Sequence, residues 1–461
     1  MAREELETLT QAELIDLILA QAEQLAKLQA DYEALKLKFE KKGKPPTSSK
    51  NSSQPPSRDQ KGNQPKDRRK RRHGPPVGHE KHERKFVAQA DEVVEVRPQS
   101  CGSCQADLSL EHGRLVKLNQ ITELPEASAQ VIEVRQYEVV CPHCQQAQVE
   151  APPAGLEMER AFGARLEATV VYYRQEQHMS YARTQKALFD LSRAEISQGG
   201  IDEIMKRAGR GAIQKEAALQ ERVCRSEVIH CDETSCRVDG DNWWEWVFWT
   251  ASTVLHVIRF NRSVDVINDV MGQYRAEVWV SDCWGSQLKA PARQRQLCLA
   301  HQLRNLQALV DADPLLFWPQ AMQALFRAAI HLHHQRAQLS PQQFSAEIAR
   351  IERLCDALLL RSLSPPKAQK LQRRYQKYRQ CLFVFLYRTD VEPTNNVAER
   401  ALRPSVIHRK VTGGFRSEWG AKAYAALASV IDTAELSGMR AFDTILSLFG
   451  PPALPIPSGG E

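Results

Sequence analysis

Residues 41 to 86 hold 15 Lys and Arg against 4 Asp and Glu and almost nothing apolar, and this stretch decides how the rest of the chain can be organised. A segment so rich in Pro, Ser, Gln and Gly has too little to bury to offset the entropy of ordering it, so it does not fold alone. It separates the residues on its N-terminal side from those on its C-terminal side. Its charge of +11 exceeds the chain's total of +6, which leaves the remainder near −5. At its centre Arg68, Arg69, Lys70, Arg71 and Arg72 form a cluster able to neutralise several DNA phosphates and release their counterions. A merely solubilising linker is the alternative.

Before this segment, Leu14, Ile18, Gln21, Leu25, Leu28, Tyr32, Leu35 and Phe39 alternate spacings of four and three. That is an a/d seam of about four heptads. Thr10 with Glu13 makes a capping box, Leu9 with Leu14 a hydrophobic staple, and Gly43, Pro45 and Pro46 end the helix. A lone helix cannot bury such a seam, so residues 1–42 are expected to form a coiled coil that joins copies of the chain, with packing against the body as the alternative.

Beyond the basic linker, here bounded at 43–98, Cys101 and Cys104 are followed after 36 residues by Cys141 and Cys144. Two Cys-x-x-Cys knuckles, the second after an alternating strand from Val131 to Val140, offer four thiolates to one tetrahedral Zn²⁺. With all four positions filled by Cys, this zinc ribbon over 99–150 is expected to be closed and structural. Residues 151–222 read as helical. Two amphipathic helices flank a turn near Leu191 to Ile196, with Ser197 as a cap. The pattern fits a helix-turn-helix presenting Gln198, Asp202 and Lys206, and fits ordinary helical packing equally well.

The chain has 42% hydrophobic residues, no run of about 18 apolar residues and no signal peptide, so a cytoplasmic protein away from membranes is expected, its eleven cysteines reduced or metal-bound. Four strand-like stretches come next. Val228 and Ile229 lead into Asp232, Trp243 to Ser252 and Val254 to Phe260 succeed them, and Val278, Trp279 and Val280 run into Asp282. The tryptophans of the second stretch read as sheet core rather than a stacking surface. Between Leu303 and Tyr387 the signals are helical, and His331, His333 and His334 read as a solvated face. Glu399 then lies with Asn395, Asn396 and Arg400 on one side of a short helix that Pro404 is expected to stop. Asp232, Asp282 and Glu399 are the acids whose settings suit hard divalent cations and phosphodiester chemistry.

Four segments carry a resemblance: His230-Cys-Asp-Glu-Thr234, Ser281-Asp282, Cys298-Leu-Ala-His301, and Asn395-Asn-Val-Ala-Glu-Arg-Ala-Leu-Arg-Pro404. From Ile229 to about Gly438 the chain resembles the DDE transposases of the insertion sequence sixty-six family. The likeness extends upstream to Ser48–Ser57 and the cysteine pairs. One departure is that Cys283-Trp284-Gly285 stand where Gly-Tyr commonly comes after the second aspartate.

The resemblance implies a multidomain α/β protein. Its ribonuclease-H-like catalytic domain would occupy 223–308 and 387–440, interrupted by a helical insertion over 309–386 and followed by a tail over 441–461. It implies a DNA transposase that cleaves and joins element ends. Asp232, Asp282 and Glu399 would hold two Mg²⁺, which Mn²⁺ can replace, and a DNA 3′-hydroxyl would be the second nucleophile. Arg400, Arg403, Arg409, Lys410 and Arg416 would meet DNA phosphates, while His301 and Asn396 would support the site. Double-stranded DNA and accessory proteins of the same element are the implied partners. A zinc-dependent DNA-binding protein without cutting activity and a hydrolytic nuclease of the same fold are the alternatives.

Overall fold

The computed structural model describes residues 86–108, 114–124, 128–157 and 160–450. The expected coiled coil, the cluster from Arg68 to Arg72 and the residues after 450 lie outside these. The described residues fall into two compact units. The larger includes Glu133–Lys186 and everything from Ile196 onward, and the smaller includes Ala187–Glu195 with the residues up to Ile132. Among the described residues no helix is long and apolar enough to cross a membrane.

In the smaller unit, Cys101 opens a tight turn in which its N–H donates to Ala106 O (2.8 Å) and Gln105 N–H donates back to Cys101 O (2.9 Å). In the larger unit, β1 (Glu138–Val140) pairs antiparallel with β2 (Ala147–Val149). Their hairpin repeats that turn, Cys141 N–H donating to Gln146 O and Gln145 N–H to Cys141 O, both at 2.9 Å. Gln105 and Gln145 share the left-handed backbone, with φ of 62° and 60°. The strand expected from Val131 is shorter than the alternation suggests, beginning at Glu138.

Helices α1 (Ala164–Gln175), α2 (Tyr181–Ser192) and α3 (Gln198–Cys224) come next. Ser197 caps α3 by accepting the Gly200 N–H at 3.1 Å. Buried Glu167 on α1 is met by Arg160 (2.6 Å) and Arg207, so this interior charge is compensated.

The centre of the larger unit is a five-stranded sheet in the order β5-β4-β3-β6-β7. Its strands are β3 (Val228–Val238), β4 (Asp241–Trp249), β5 (Val254–Arg259), β6 (Ala276–Ser281) and β7 (Ala292–Leu297). The first three are antiparallel, whereas β6 and β7 add in parallel after the crossover helix α4 (Val264–Met271). Asp239 and Gly240, both with positive φ, make the two-residue turn between β3 and β4. Asp-Gly suits such a turn because its twist matches that of the strands. Trp246 and Phe248 are fully buried, as a sheet core requires.

The long segment between the second and third acids is helical: α5 (Leu299–Ala312), α6 (Phe317–His334), α7 (Pro341–Leu359), α8 (Pro366–Lys377) and α9 (Val384–Tyr387). Trp318, Phe326, Tyr375 and Phe385 pack into one core with Val278, Val280 and Leu297 of the sheet. Burying each such side chain contributes roughly 1.5–3 kcal/mol, which fixes the insertion to the sheet.

The chain returns through α10 (Asn396–Ala401), α11 (Arg403–Thr412), α12 (Glu418–Leu436) and α13 (Ala441–Leu446). The last of these is a helix where the sequence suggested a tail. Pro404 does not simply stop α10. It sits in the first turn of α11, where a missing N–H costs nothing. On α12, Ser429 and Thr433 accept the N–H groups of His256 (2.7 Å) and Val254 (3.0 Å), sealing the edge of β5. Gly209 lets α3 approach α12, since a Cβ there would stand 2.7 Å from that of Ala423.

Candidate active site

The parallel pairing of β3 with β6 ends at His230 opposite Val280. Carried two residues further, the same register sets Asp232 beside Asp282, which leaves β6 one residue after its end. At that point β3 continues paired only to β4, Asp232 opposite Val247. A gap on one side of the first strand is thus lined by the first two acids.

Glu399 arrives on α10, anchored through Ala398 and Leu402 against Val247 and Val254. Its carboxylate lies 3.2 Å from the Arg304 guanidinium and 3.5 Å from the His301 ring, both on α5. Asn395, fully buried, holds the start of α10 in place. It donates through Nδ2 to Cys231 O (2.8 Å), faces His230 Nδ1 through Oδ1 (3.2 Å), and gives its N–H to Cys298 Sγ (3.1 Å). Leu299 N–H donates to Pro393 O at 3.0 Å, closing the neck of the helical insertion beside the site. Burial lowers His230 to about 4, so it stays a neutral ring in this framework.

The three acids share one electrostatic neighbourhood. Burial pushes the Asp232 carboxyl well above the ordinary range, and the charges of Glu233, Asp282 and Glu399 push it further. His301 is held low by burial and by Arg304, while Glu399 and Asp282 pull the other way. Glu233 differs from its neighbour. Its carboxylate is 2.7 Å from Arg262 and accepts from Gln287 Nε2 at 2.5 Å, so it has its own counterion and is not free to bind a cation.

The donor set suits a hard divalent cation, since Asp232, Asp282 and Glu399 repel one another and, among the described residues, only Glu399 of these three has a cationic partner. Among the described residues the three acids do not bring their ligand atoms within 4.8 Å of one another, whereas Cys298, His301 and Glu399 do. Burial pushes the Cys298 thiol up to about 11, however, and its sulfur already accepts the Asn395 N–H. A metal ligand would have to be the thiolate, so Cys298 serves as a strut.

The sequence placed the supporting role on Asn396, yet Asn396 is exposed and Asn395 makes the buried contacts. Arg409 is half-buried and bound to Thr234 Oγ1 (3.0 Å) and the Ser235 carbonyl, whereas Arg400, Arg403, Lys410 and Arg416 are exposed. Gly414, at φ 118°, lets the turn after α11 lie on β3, where a Cβ would stand 2.8 Å from Arg237 O. Asp202 and Lys206 of α3, expected to face outward, pair with each other at 2.9 Å. Around the departure after Asp282, the Trp284 N–H donates to Asp282 Oδ1 (2.7 Å), and Arg262 lies between the Trp244 and Trp284 rings. Arg304 and Arg262 carried no signal in the sequence, because single basic residues in helices and loops look like solvated charges, and His230 stood out only as part of the segment around Asp232.

Residues 159–423 match the transposase IS66 family, more than half of the chain, covering the sheet, the insertion and the helix that bears the third acid. The chain belongs to this transposase family. A comparison with curated proteins finds no match. Membership of the IS66 family makes the chain a DNA-processing transposase by descent, and DNA its partner. The matched range begins after both cysteine knuckles and contains all three acids.

Proposed function

We propose that the larger unit carries a ribonuclease-H-like catalytic domain that cleaves and joins insertion-sequence ends by phosphoryl transfer. The observation that supports it is the convergence of Asp232, Asp282 and Glu399, from a strand, a strand end and a helix, beside the end of β6. Asp232, Asp282 and Glu399 would hold two Mg²⁺ or Mn²⁺, which supply activation of water and then of a DNA 3′-hydroxyl and stabilise charge on phosphorus.

The chain's own residues do the positioning. Asn395 fixes α10 relative to β3, and Arg304 orients the Glu399 carboxylate. Exposed Arg400, Arg403, Lys410 and Arg416 meet phosphate oxygens, which sets register without reading sequence. Arg409 holds α11 against β3 and contributes charge from behind. Strand transfer of a labelled element end, assayed with and without Mg²⁺, tests this reading. Release of a 3′-end without joining would point to a nuclease.

We propose one structural Zn²⁺ for the two knuckles, a reading that rests on their Cys-x-x-Cys spacing in the sequence. In each, backbone N–H groups of the turn lower the first thiol, Cys101 through Cys104 and Ser103 and Cys141 through Cys144 and His143, which favours the thiolate a metal requires. No disulfide involves any of the eleven cysteines. Metal analysis should return one zinc per chain, and Cys104→Ser should reduce that content and the resistance to unfolding while sparing cleavage by the folded fraction. Assembly through residues 1–42 and help from accessory proteins complete the proposal.

A further inference from the structure

Helix α8 contains five basic residues and no acidic one. Its apolar side, Ala368, Leu371 and Tyr375, is buried in the core that Cys283, the residue after Asp282, packs against. Burial pushes the Cys283 thiol up, and Arg374 is close enough to oppose that push. The opposite side bears Lys367, Lys370, Arg373 and Lys377, all exposed, at spacings of three, three and four that align them along one helix face. None of the four enters an ion pair among the described residues.

The neighbouring helix shows that this is not the general state of the insertion. On α7, Arg350 is paired with Glu347 (2.9 Å), and Glu352 and Asp356 are taken by Arg379. Charge on α7 is largely neutralised by its surroundings, and charge on α8 is left open. Four uncompensated cations over a rise of about 15 Å match a polyanion carrying a charge every ~1.7 Å of its axis. An acidic protein surface mixes signs and seldom offers such density.

We infer that the outer face of α8 binds the phosphate backbone of a DNA duplex, irrespective of sequence, and leads that duplex toward the end of β6. The inference rests on the reading of the chain as a DNA-processing enzyme and assigns a second DNA-contacting surface, on the insertion rather than on α10 and α11. Lys and Arg on phosphate carry position, not sequence, so the effect is the same for element ends and unrelated duplexes.

The test is the salt dependence of duplex binding by the full chain, measured for the parent and for Lys367→Gln/Lys370→Gln/Arg373→Gln/Lys377→Gln. Each lost phosphate contact should flatten the slope of log affinity against log salt by about 0.9. Between ~50 and ~200 mM salt the fourfold variant should therefore weaken about 100-fold less than the parent, on element-end and random duplexes alike. A companion carrying Lys→Arg at positions 367, 370 and 377 should keep the parental slope. A parental slope in the glutamine variant, with both proteins binding DNA and melting alike, overturns the inference and leaves the transposase reading intact. A parent that binds no duplex overturns both.

Discussion

Two groups of half-buried or buried acids lie on one face of the same sheet and are treated in opposite ways. Register puts Asp232 opposite Val247, Val247 opposite His256, and Thr234 opposite Glu245, so these side chains share a face. Glu245 is bonded to His256 Nδ1 at 3.0 Å and to the Ser405 hydroxyl, and His256 Nε2 is 3.0 Å from Asp432. Every polar atom there that would suffer from leaving water has a partner. Asp232, one turn of the pleat away, has other carboxylates for neighbours instead. Folding alone gives no reason to gather like charges, whereas a balanced network of this kind holds four elements together. The contrast separates architecture from a place reserved for something cationic.

The comparison is most easily broken at the acids themselves. Asp232→Asn, Asp282→Asn and Glu399→Gln should each abolish cleavage and strand transfer, by a factor on the order of 10³ or more, while leaving the fold and duplex binding in place. Pairs of these changes should be no worse than single ones. If Glu399→Gln kept near-parental transfer and Glu392 or Glu418 proved essential, the third carboxylate would be misassigned.

The sign of the stability effect sharpens it further. In metal-free buffer Asp232→Asn should leave the melting temperature unchanged or raised, since it removes a repelling charge. Glu245→Gln should instead destabilise by about 3–5 kcal/mol, because it leaves His256 with a reduced counterion in the interior. Equal losses from both would erase the distinction.

The smallest effect is the pH response. Burial pushes His256 down, but its hydrogen bonds to the Asp432 and Glu245 carboxylates outweigh that and raise it to about 9, above the 6.5 of an unfolded histidine. Its contribution is therefore fully present below pH 6.5 and is lost as pH rises through 9. The unfolding free energy from denaturant titration should fall between pH 7 and 10 by an amount on the order of 2–3 kcal/mol, and Glu245→Gln should flatten the decline.

Much of this was visible in the residues. Val278 to Val280 reads as a buried strand, and an acid at the end of such a run is hard to explain as surface. The helical character from Leu303 to Tyr387 comes from periodicity. The parts that were not visible depend on contacts made far along the chain. Asn395 and Asn396 are chemically identical, and only the point at which α10 begins turns the first inward. Glu245 and His256 sit in alternating strands where polar residues usually face water, and nothing local says that Ser405 and Asp432 arrive to cover them. Pro404 marks a boundary, but whether it ends one helix or begins another is decided by the packing of Leu402 on the sheet.

The bond from Leu299 N–H to Pro393 O has a consequence for how such a protein can change over time. It ties off everything between those residues as a closed appendage whose two ends are held together regardless of what hangs between them. The entropic cost of enlarging a closed loop grows only logarithmically, about 0.6 kcal/mol for each doubling. Helices can therefore be added to or trimmed from that appendage, and its outer charges rewritten, while the geometry at its root is inherited unchanged.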